Sequence, residues 1–307
     1  MCREKPKIIA VVGPTASGKT ALGVKIAKAF NGEVVSFDSM QIYNNMPIAS
    51  AAPTEEEIDG IKHHLVGFCD PKDKFSVADF IGLATEKITD IGSRQKMPVL
   101  VGGTGLYIDS LVSGIEFSDE DSTEVRKKLE TKADEIGMEK MLEILREVDP
   151  KTAAKYHVND RKRIIRALEI FELHGKPKSE IDAESKLKGT RYDTVWIGIT
   201  YRNRELLYDR INRRVDIMLN NGLLEEAEKA FSNGGQTSVQ AIGHKEFFPY
   251  FKGEISLEKA VENLKTETRR YAKRQMTWFR RNEEINWIYA DETPDVFSEA
   301  ERIIKEY

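Results

Sequence analysis

Gly13-Pro14-Thr15-Ala16-Ser17-Gly18-Lys19-Thr20 fills every fixed position of the phosphate-loop pattern G-x-x-x-x-G-K-[ST]. The apolar run Ile8-Ile9-Ala10-Val11-Val12 before it reads as a buried strand. After it, Ala21 to Phe30 reads as a helix with Leu22, Ile26 and Ala29 on one face. Strand, glycine turn and helix N-terminus thus arrive in the order the motif requires. Glycines let backbone N–H groups converge on an anion, and the helix dipole adds partial positive charge. Lys19 adds a full charge, and the Thr20 hydroxyl suits Mg²⁺. The motif specifies phosphate or diphosphate, not a particular nucleotide.

A chain of 307 residues is expected to hold about two domains. Its hydrophobic content of 40% and charged content of 32% suit a soluble globular protein. The net charge of −4 means that any nucleic-acid site must be a local patch. Cys2 and Cys69 form no metal spacing. Arg3, Lys5 and Lys7 precede an apolar run, but five residues leading into a phosphate loop make no targeting peptide. No apolar stretch approaches the roughly 20 residues of a membrane span, so the cytoplasm is the expected location.

Along the chain, Glu33–Phe37 reads as a second strand ending in Asp38-Ser39-Met40-Gln41. Ligands of open parallel sheets bind beyond the carboxyl ends of strands, which places Asp38 beside the phosphate loop. Catalysis and simple turn-capping both fit an Asp there. Thr54 and Glu57 form a capping box. His63–Phe68 reads as a third strand, whose adjacent histidines point to opposite faces and are read as structural. Ser76 starts a helix running to about Gly92. Met97–Val101 is a fourth strand, flowing into a second glycine turn, Gly102-Gly103-Thr104-Gly105.

From about Glu116 the texture becomes charge-dense and helical. Asp149-Pro150 and Asn159-Asp160 read as helix starts, and Gly175 as a stop with Pro177 beyond. Arg161, Lys162, Arg163 and Arg166 crowd the N-terminal end of the second helix, against its dipole. They suit an external anion or a solvated face. A returning strand spans about 192–199. A helix follows over 204–220, with Arg210 and Arg214 one turn apart. They suit a diphosphate clamp or pairing with surface acids. Lys265–Arg281 carries seven cations and one acid in 17 residues, with Tyr271, Trp278 and Phe279 interleaved. This reversal of sign in a net acidic chain reads as a polyanion footprint. An edge strand is expected over 285–289 and a closing helix after Glu292.

A nucleotide switch is disfavoured because the guanine-reading N-K-x-D motif is absent. A small-molecule kinase uses the same loop. Group transfer from a diphosphate to a nucleic acid accounts for both the loop and two separated basic patches. The motifs GPTASGKT (13–20), DSMQIY (38–43), GGTGLY (102–107), NDRKR followed by RALE (159–169) and TRRYAKRQMTW (268–278) together resemble bacterial tRNA dimethylallyltransferases over nearly the whole chain.

That resemblance implies a P-loop α/β fold, a parallel sheet flanked by helices with a helical insertion domain. The core is expected over 1–115 and 191–307, the insertion over 116–190. It implies a monomer that transfers a dimethylallyl group from dimethylallyl diphosphate to the exocyclic amine of adenosine 37 in the tRNA anticodon loop, with Mg²⁺ on Thr20. Asp38 is the expected base. Lys19, Thr20 and Arg210 are expected to stabilise the leaving diphosphate, held by Gly13, Pro14, Thr15, Ala16, Ser17, Gly18 and Arg214. Asp38, Ser39, Met40, Gln41 and Thr104 are expected to contact the target nucleotide. Arg126, Lys162, Arg163, Ile164, Ile165 and Arg166 of the insertion, with Lys273 and Arg274, are expected to contact tRNA. Two positions depart from the family pattern: Ala52, where a lysine is usual, and His244, where a tyrosine is usual. A small-molecule P-loop kinase is the alternative reading.

Overall fold

The computed structural model describes residues 5–114, 123–187, 189–233 and 241–307. Cys2, Arg3 and the start of the charge-dense stretch at Glu116 lie outside the described residues. The chain packs as two compact units, Met1–Val112 with Arg191–Tyr307, and Ser113–Thr190.

The larger unit is built on six parallel strands: β1 (Lys7–Val12), β2 (Gly32–Ser36), β3 (His63–His64), β4 (Met97–Val101), β5 (Asp193–Thr200) and β6 (Asn286–Tyr289), in the order β3-β2-β4-β1-β5-β6. Helices α1 (Lys19–Ala29), α2 (Glu55–Ile58), α3 (Val77–Ser93) and α4 (Gly105–Val112) alternate with the first four strands. Register is set across the central strands by Ile9, opposite Val99 of β4 and Val195 of β5. Both faces of β1 are covered, so Ile8 to Val12 are all buried, as parallel strands require. One face packs Ile9, Val11 and Val99 against Leu22 and Ile26 of α1.

This strand order makes β1, β4 and β2 neighbours. The loops leaving their carboxyl ends, from Gly13, Gly102 and Phe37, therefore form one cluster.

Two local expectations are corrected. The third strand is only His63–His64, because Leu65 turns left-handed at φ 61° and ends the extension. Ala29 is exposed, because the buried face of α1 is centred on Gly23 and Ala27. A Cβ at Gly23 would stand 2.4 Å from the Val101 side chain, which is why no larger residue fits there. The capping boxes at Thr54/Glu57 and Ser76/Asp79 both form.

The smaller unit is helical: α5 (Thr123–Ile136), α6 (Met138–Val148), α7 (Pro150–Ala153), α8 (Arg161–His174) and α9 (Lys178–Leu187). Asp149 caps α7 by accepting from the Thr152 N–H, and Gly175 ends α8 at φ 64°. Asp160 stands at the start of α8 but accepts from His157 N–H instead of capping the helix. Leu129, Leu142, Leu145 and Leu168 form its core.

The larger unit continues with α10 (Arg204–Asn220), α11 (Leu223–Asn233), α12 (Phe248–Phe251), α13 (Leu257–Phe279) and α14 (Val296–Glu306). Among the described residues no helix is long and apolar enough to cross a membrane.

At the far end of β2, the buried Glu33 carboxylate accepts from Arg94 at 2.5 and 2.8 Å, from Lys96 at 2.8 Å, and lies 2.8 Å from His64 Nε2. The hydrogen-bonded Arg94 guanidinium, with Lys96 and His64, holds its carboxyl well below the usual carboxylate range. A depressed carboxylate stabilises the fold above its ordinary value of 4.5 and loses that contribution as pH falls below it. We expect Glu33→Gln to cost about 2 kcal/mol at pH 7, less than a fully buried pair because both cations reach solvent. Denaturant titrations should show this gap narrowing below about pH 4.

Candidate active site

A cavity of about 360 Å³ opens at the carboxyl edge of the sheet. Thr15, Lys19, Thr20, Asp38 and Arg214 all line it. The phosphate loop reaches it in a constrained form. Gly18 caps α1 at φ 99°, a left-handed conformation that side chains avoid. A Cβ at Gly13 would lie 2.2 Å from the Ile199 carbonyl oxygen, so only glycine lets the loop lie on β5. The first N–H groups of α1 have no intrahelical partners and no side-chain cap, which leaves them for an anion.

Lys19 donates through Nζ to the Pro14 carbonyl at 2.7 Å. Burial, helped by the nearby Arg214 guanidinium and opposed by Asp38, brings its ammonium down to about 7. Burial also lowers Arg214. An ammonium and a guanidinium both pushed toward their neutral forms mark a site short of negative charge.

The two arginines of α10 divide differently from expectation. Arg214 lines the cavity. Arg210 is exposed, donates through Nε to the Ala16 carbonyl at 2.9 Å and lies over the Tyr201 ring. It braces the loop from behind, because Ala16 itself sits left-handed at φ 61° and turns its carbonyl outward to α10.

Asp38 makes a local turn bond and still lines the cavity. Its Oδ1 accepts from the Met40 N–H at 3.0 Å, a local turn bond. Its Oδ2 accepts no hydrogen bond among the described residues, and the residue faces the cavity shared with Lys19 and Thr20. Ser39, Met40 and Gln41 line the same cavity. Gln41 is partly committed, accepting from Ser36 Oγ at 2.9 Å and donating to the Ala51 carbonyl at 3.1 Å. Thr104 does not line the cavity. Its hydroxyl accepts from the Ser39 N–H at 3.0 Å and donates to Ser39 Oγ at 3.3 Å, so it holds the Asp38–Gln41 segment in place.

Residues outside the expected set complete the wall. Gln275 of α13 is buried, accepts from the Thr15 N–H at 2.8 Å and donates to the Gly103 carbonyl at 2.9 Å. Tyr271, one turn earlier, lines the cavity, and burial raises its phenol. The i, i+4 spacing of Tyr271 and Gln275, which puts both on one face of α13 between cations, is the signal for them in the sequence. Ile211, Val215, Met218 and Leu264 add an apolar side.

Basic residues sort into paired and unpaired. In α13, Lys265 pairs with Asp216, Arg269 with Glu262 and Arg270 with Glu267. Lys273 and Arg274 have no acidic partner among the described residues, and Arg274 also lines the cavity. In the helical unit, Arg161 pairs with Asp134, Arg163 with Asp160, Arg166 with Glu169 and Arg126 with Glu130, leaving Lys162 without one among the described residues. The Glu169 carboxylate is buried, so Arg166 is the firmly held one; the pairs whose two partners both reach solvent are weak and exchange more readily for a polyanion. Ile164 and Ile165 are corrected: they are 0% and 2% exposed in the core of that unit, so neither side chain can touch a nucleic acid. The 3.6-residue period of α8 turns them inward with Leu168.

Two measurements test this geometry. Inorganic diphosphate should bind with net proton uptake near pH 8, because an anion beside Lys19 restores its charge. Calorimetry in buffers of different ionisation enthalpy reads this, and Lys19→Met should abolish it. Affinity should weaken as pH rises above 7. Gly103→Ala places a Cβ 2.1 Å from Gln275 Nε2 and should lower diphosphate affinity about tenfold while the circular dichroism spectrum is unchanged.

Residues 41–282 match the family described as IPP transferase, and residues 6–67 match isopentenyl transferase. A tRNA dimethylallyltransferase of Caldanaerobacter subterraneus is 50% identical over 291 residues, 93% of this chain and 92% of the relative. That of Acetivibrio thermocellus is 50% identical over 302 residues, 97% and 95% of the two chains. The solved tRNA isopentenylpyrophosphate transferase of Bacillus halodurans superposes with a TM-score of 0.72 at 44% identity, covering 98% of this chain and 96% of the other. A eukaryotic dimethylallyltransferase acting on tRNA reaches 0.85 at 31% identity, covering 97% of this chain and 78% of the other. With family matches across most of its length and half its residues shared with such relatives, the chain belongs to the tRNA dimethylallyltransferase, or IPP transferase, family.

Proposed function

We propose that the protein transfers a dimethylallyl group from dimethylallyl diphosphate to the exocyclic amine of adenosine 37 in the tRNA anticodon loop. The observation that carries this reading is the shared cavity: Asp38 faces the same space as Lys19, Thr20 and the phosphate loop. A kinase would use the same loop and could use a carboxylate for a substrate hydroxyl, so the comparisons are what separate the two readings. Relatives named for action on tRNA weigh against that alternative.

The chemistry follows from the residues. The allylic carbon–oxygen bond breaks and charge grows on diphosphate. Loop N–H groups, Lys19 and Arg214 stand where they stabilise that charge. The amine nitrogen attacks the allylic carbon, and its proton passes to Asp38 as the new carbon–nitrogen bond forms. An adenine amine is a weak nucleophile because its lone pair is conjugated with the ring, so removing this proton matters. The base leaves its stack to enter a cavity of this kind. Tyr271 and the apolar side formed by Ile211 and Val215 keep water from the allylic carbon.

Thr20 lines the cavity and offers a hard oxygen. Among the described residues no cluster of three or more His, Cys, Asp or Glu could hold a metal ion. One protein oxygen completed by substrate phosphates and water is a usual Mg²⁺ arrangement, so these residues fit that ion. When bound, Mg²⁺ supplies further neutralisation of the leaving diphosphate.

The test supplies dimethylallyl diphosphate and an anticodon stem-loop with adenosines at positions 36 to 38. Prenylated adenosine supports the reading. No product, with ATP-dependent phosphorylation of a metabolite, overturns it in favour of a kinase. Asp38→Ala should lower turnover about 10²- to 10⁴-fold while stem-loop affinity stays within a few-fold. Wild-type turnover would remove Asp38 from its role.

A further inference from the structure

Part of the cavity wall comes from a segment with no motif of its own. Ala49, Ser50 and Ala51 line the cavity. Something must fix their backbone, because this stretch is neither helix nor strand. One end is held by Gln41, which donates to the Ala51 carbonyl. The other end is held by Glu226 in the first turn of α11. Its Oε2 accepts from the Ile48 N–H at 2.9 Å and its Oε1 from the Ala49 N–H at 2.9 Å.

The carboxylate is itself held. His244 Nε2 lies 2.9 Å from Glu226 Oε1, and the two side chains are 1% and 9% exposed. His244 Nδ1 is buried with no partner among the described residues. A carboxylate oxygen only accepts, so Nε2 is the ring nitrogen of His244 that donates to it. His244 sits between Ile242 and Lys245, and both of these line the cavity. The Glu226 carboxylate thus ties together segment 46–52, helix α11 and the 241–247 turn. Only a carboxylate does this, since two adjacent N–H groups need two acceptor oxygens in one plane. An amide offers one. Apolar packing of Ile48 and Ala49 with Val215, Leu223 and Ala227 surrounds the junction and dries it.

We propose that Glu226, oriented by His244, is a positioning residue for the acceptor nucleobase. It fixes segment 48–51 as the wall that faces the incoming adenine. This rests on the prenyl-transfer reading above. The acceptor side is indicated because Gln41, which grips the other end of the wall, belongs to the Asp38–Gln41 segment. The phosphate loop approaches from the opposite strand, β1. His244 therefore has a defined task at the position where a tyrosine is usual in the family: it donates a hydrogen bond to Glu226.

The experiment combines hydrogen exchange with steady-state kinetics on the full chain. In the free protein, the Ile48 and Ala49 amides should be protected, and Glu226→Ala should abolish that protection. The same variant should raise KM for the anticodon stem-loop about tenfold or more, with KM for dimethylallyl diphosphate within twofold. Glu226→Gln, which keeps the side-chain volume, should show a smaller shift in the same direction and carries the test if the alanine variant does not fold. His244→Phe should weaken protection at both amides, and His244→Asn, which restores a donor, should recover part of it. Unchanged stem-loop KM in both Glu226 variants overturns the proposal, as does equal loss toward both substrates. Failure of the wild-type protein to prenylate the stem-loop instead overturns the functional reading and the acceptor role with it. Exchange at Ile48 and Ala49 would then still report whether Glu226 holds the wall.

Discussion

The site depends on one side chain that bonds in two directions. Gln275 accepts from the Thr15 N–H and donates to the Gly103 carbonyl, joining residues 260 and 172 positions apart in sequence. The phosphate loop and the second glycine loop leave neighbouring strands, but neighbouring strands do not by themselves fix the loops beyond them. Helix α13 supplies the fastening. Gly103 and Gly105 let it approach, because a Cβ at either would meet Gln275 or Trp278 at 2.1 Å. Trp278 Nε1 then donates to Asp109 of α4 at 2.6 Å, a second tie between the same elements. The glycine turn at 102–105 is thus a docking surface for a helix as well as part of the cavity wall, through Gly102.

Charge is arranged around that frame with a clear division of labour. Arg210 and Arg214 are one helical turn apart on α10, yet one bonds the outer side of the loop and the other faces its inner side. Burial lowers both Lys19 and Arg214, and Arg214 crowds Lys19 as Arg210 crowds Arg214. Such crowding costs stability and is relieved by a polyanionic ligand. In α13, Lys265, Arg269 and Arg270 pair with neighbouring acids, while Lys273 and Arg274 have no acidic partner among the described residues.

Much of this was readable from residues in order. Strand–loop–helix punctuation placed β1, α1, β2 and β4, and the rule that ligands gather beyond strand ends put Asp38 beside Lys19. Capping chemistry placed the starts of α2, α3 and α7. Other features were invisible because they arise between distant segments. Ile164 and Ile165 sit among cations, which masks the 3.6-residue period that turns them inward with Leu168, and the packing of α5 and α6 buries them. Arg210 and Arg214 share a spacing, and only the path of the loop separates their tasks. Gln275 was hidden by its basic neighbours, and Glu226 by the absence of any local motif. Leu65 broke a strand through a left-handed turn that apolar content does not reveal.

The ends of the sheet have a consequence for handling the protein. Its longer, largely buried strands are interior, while its margins are β3, of two residues, and β6, of four. Stubs this short offer few free backbone groups to a stray strand from another molecule. A sheet whose hydrophobic centre would otherwise invite stacking into fibrils is thereby closed off at both sides, which favours dispersal at high concentration.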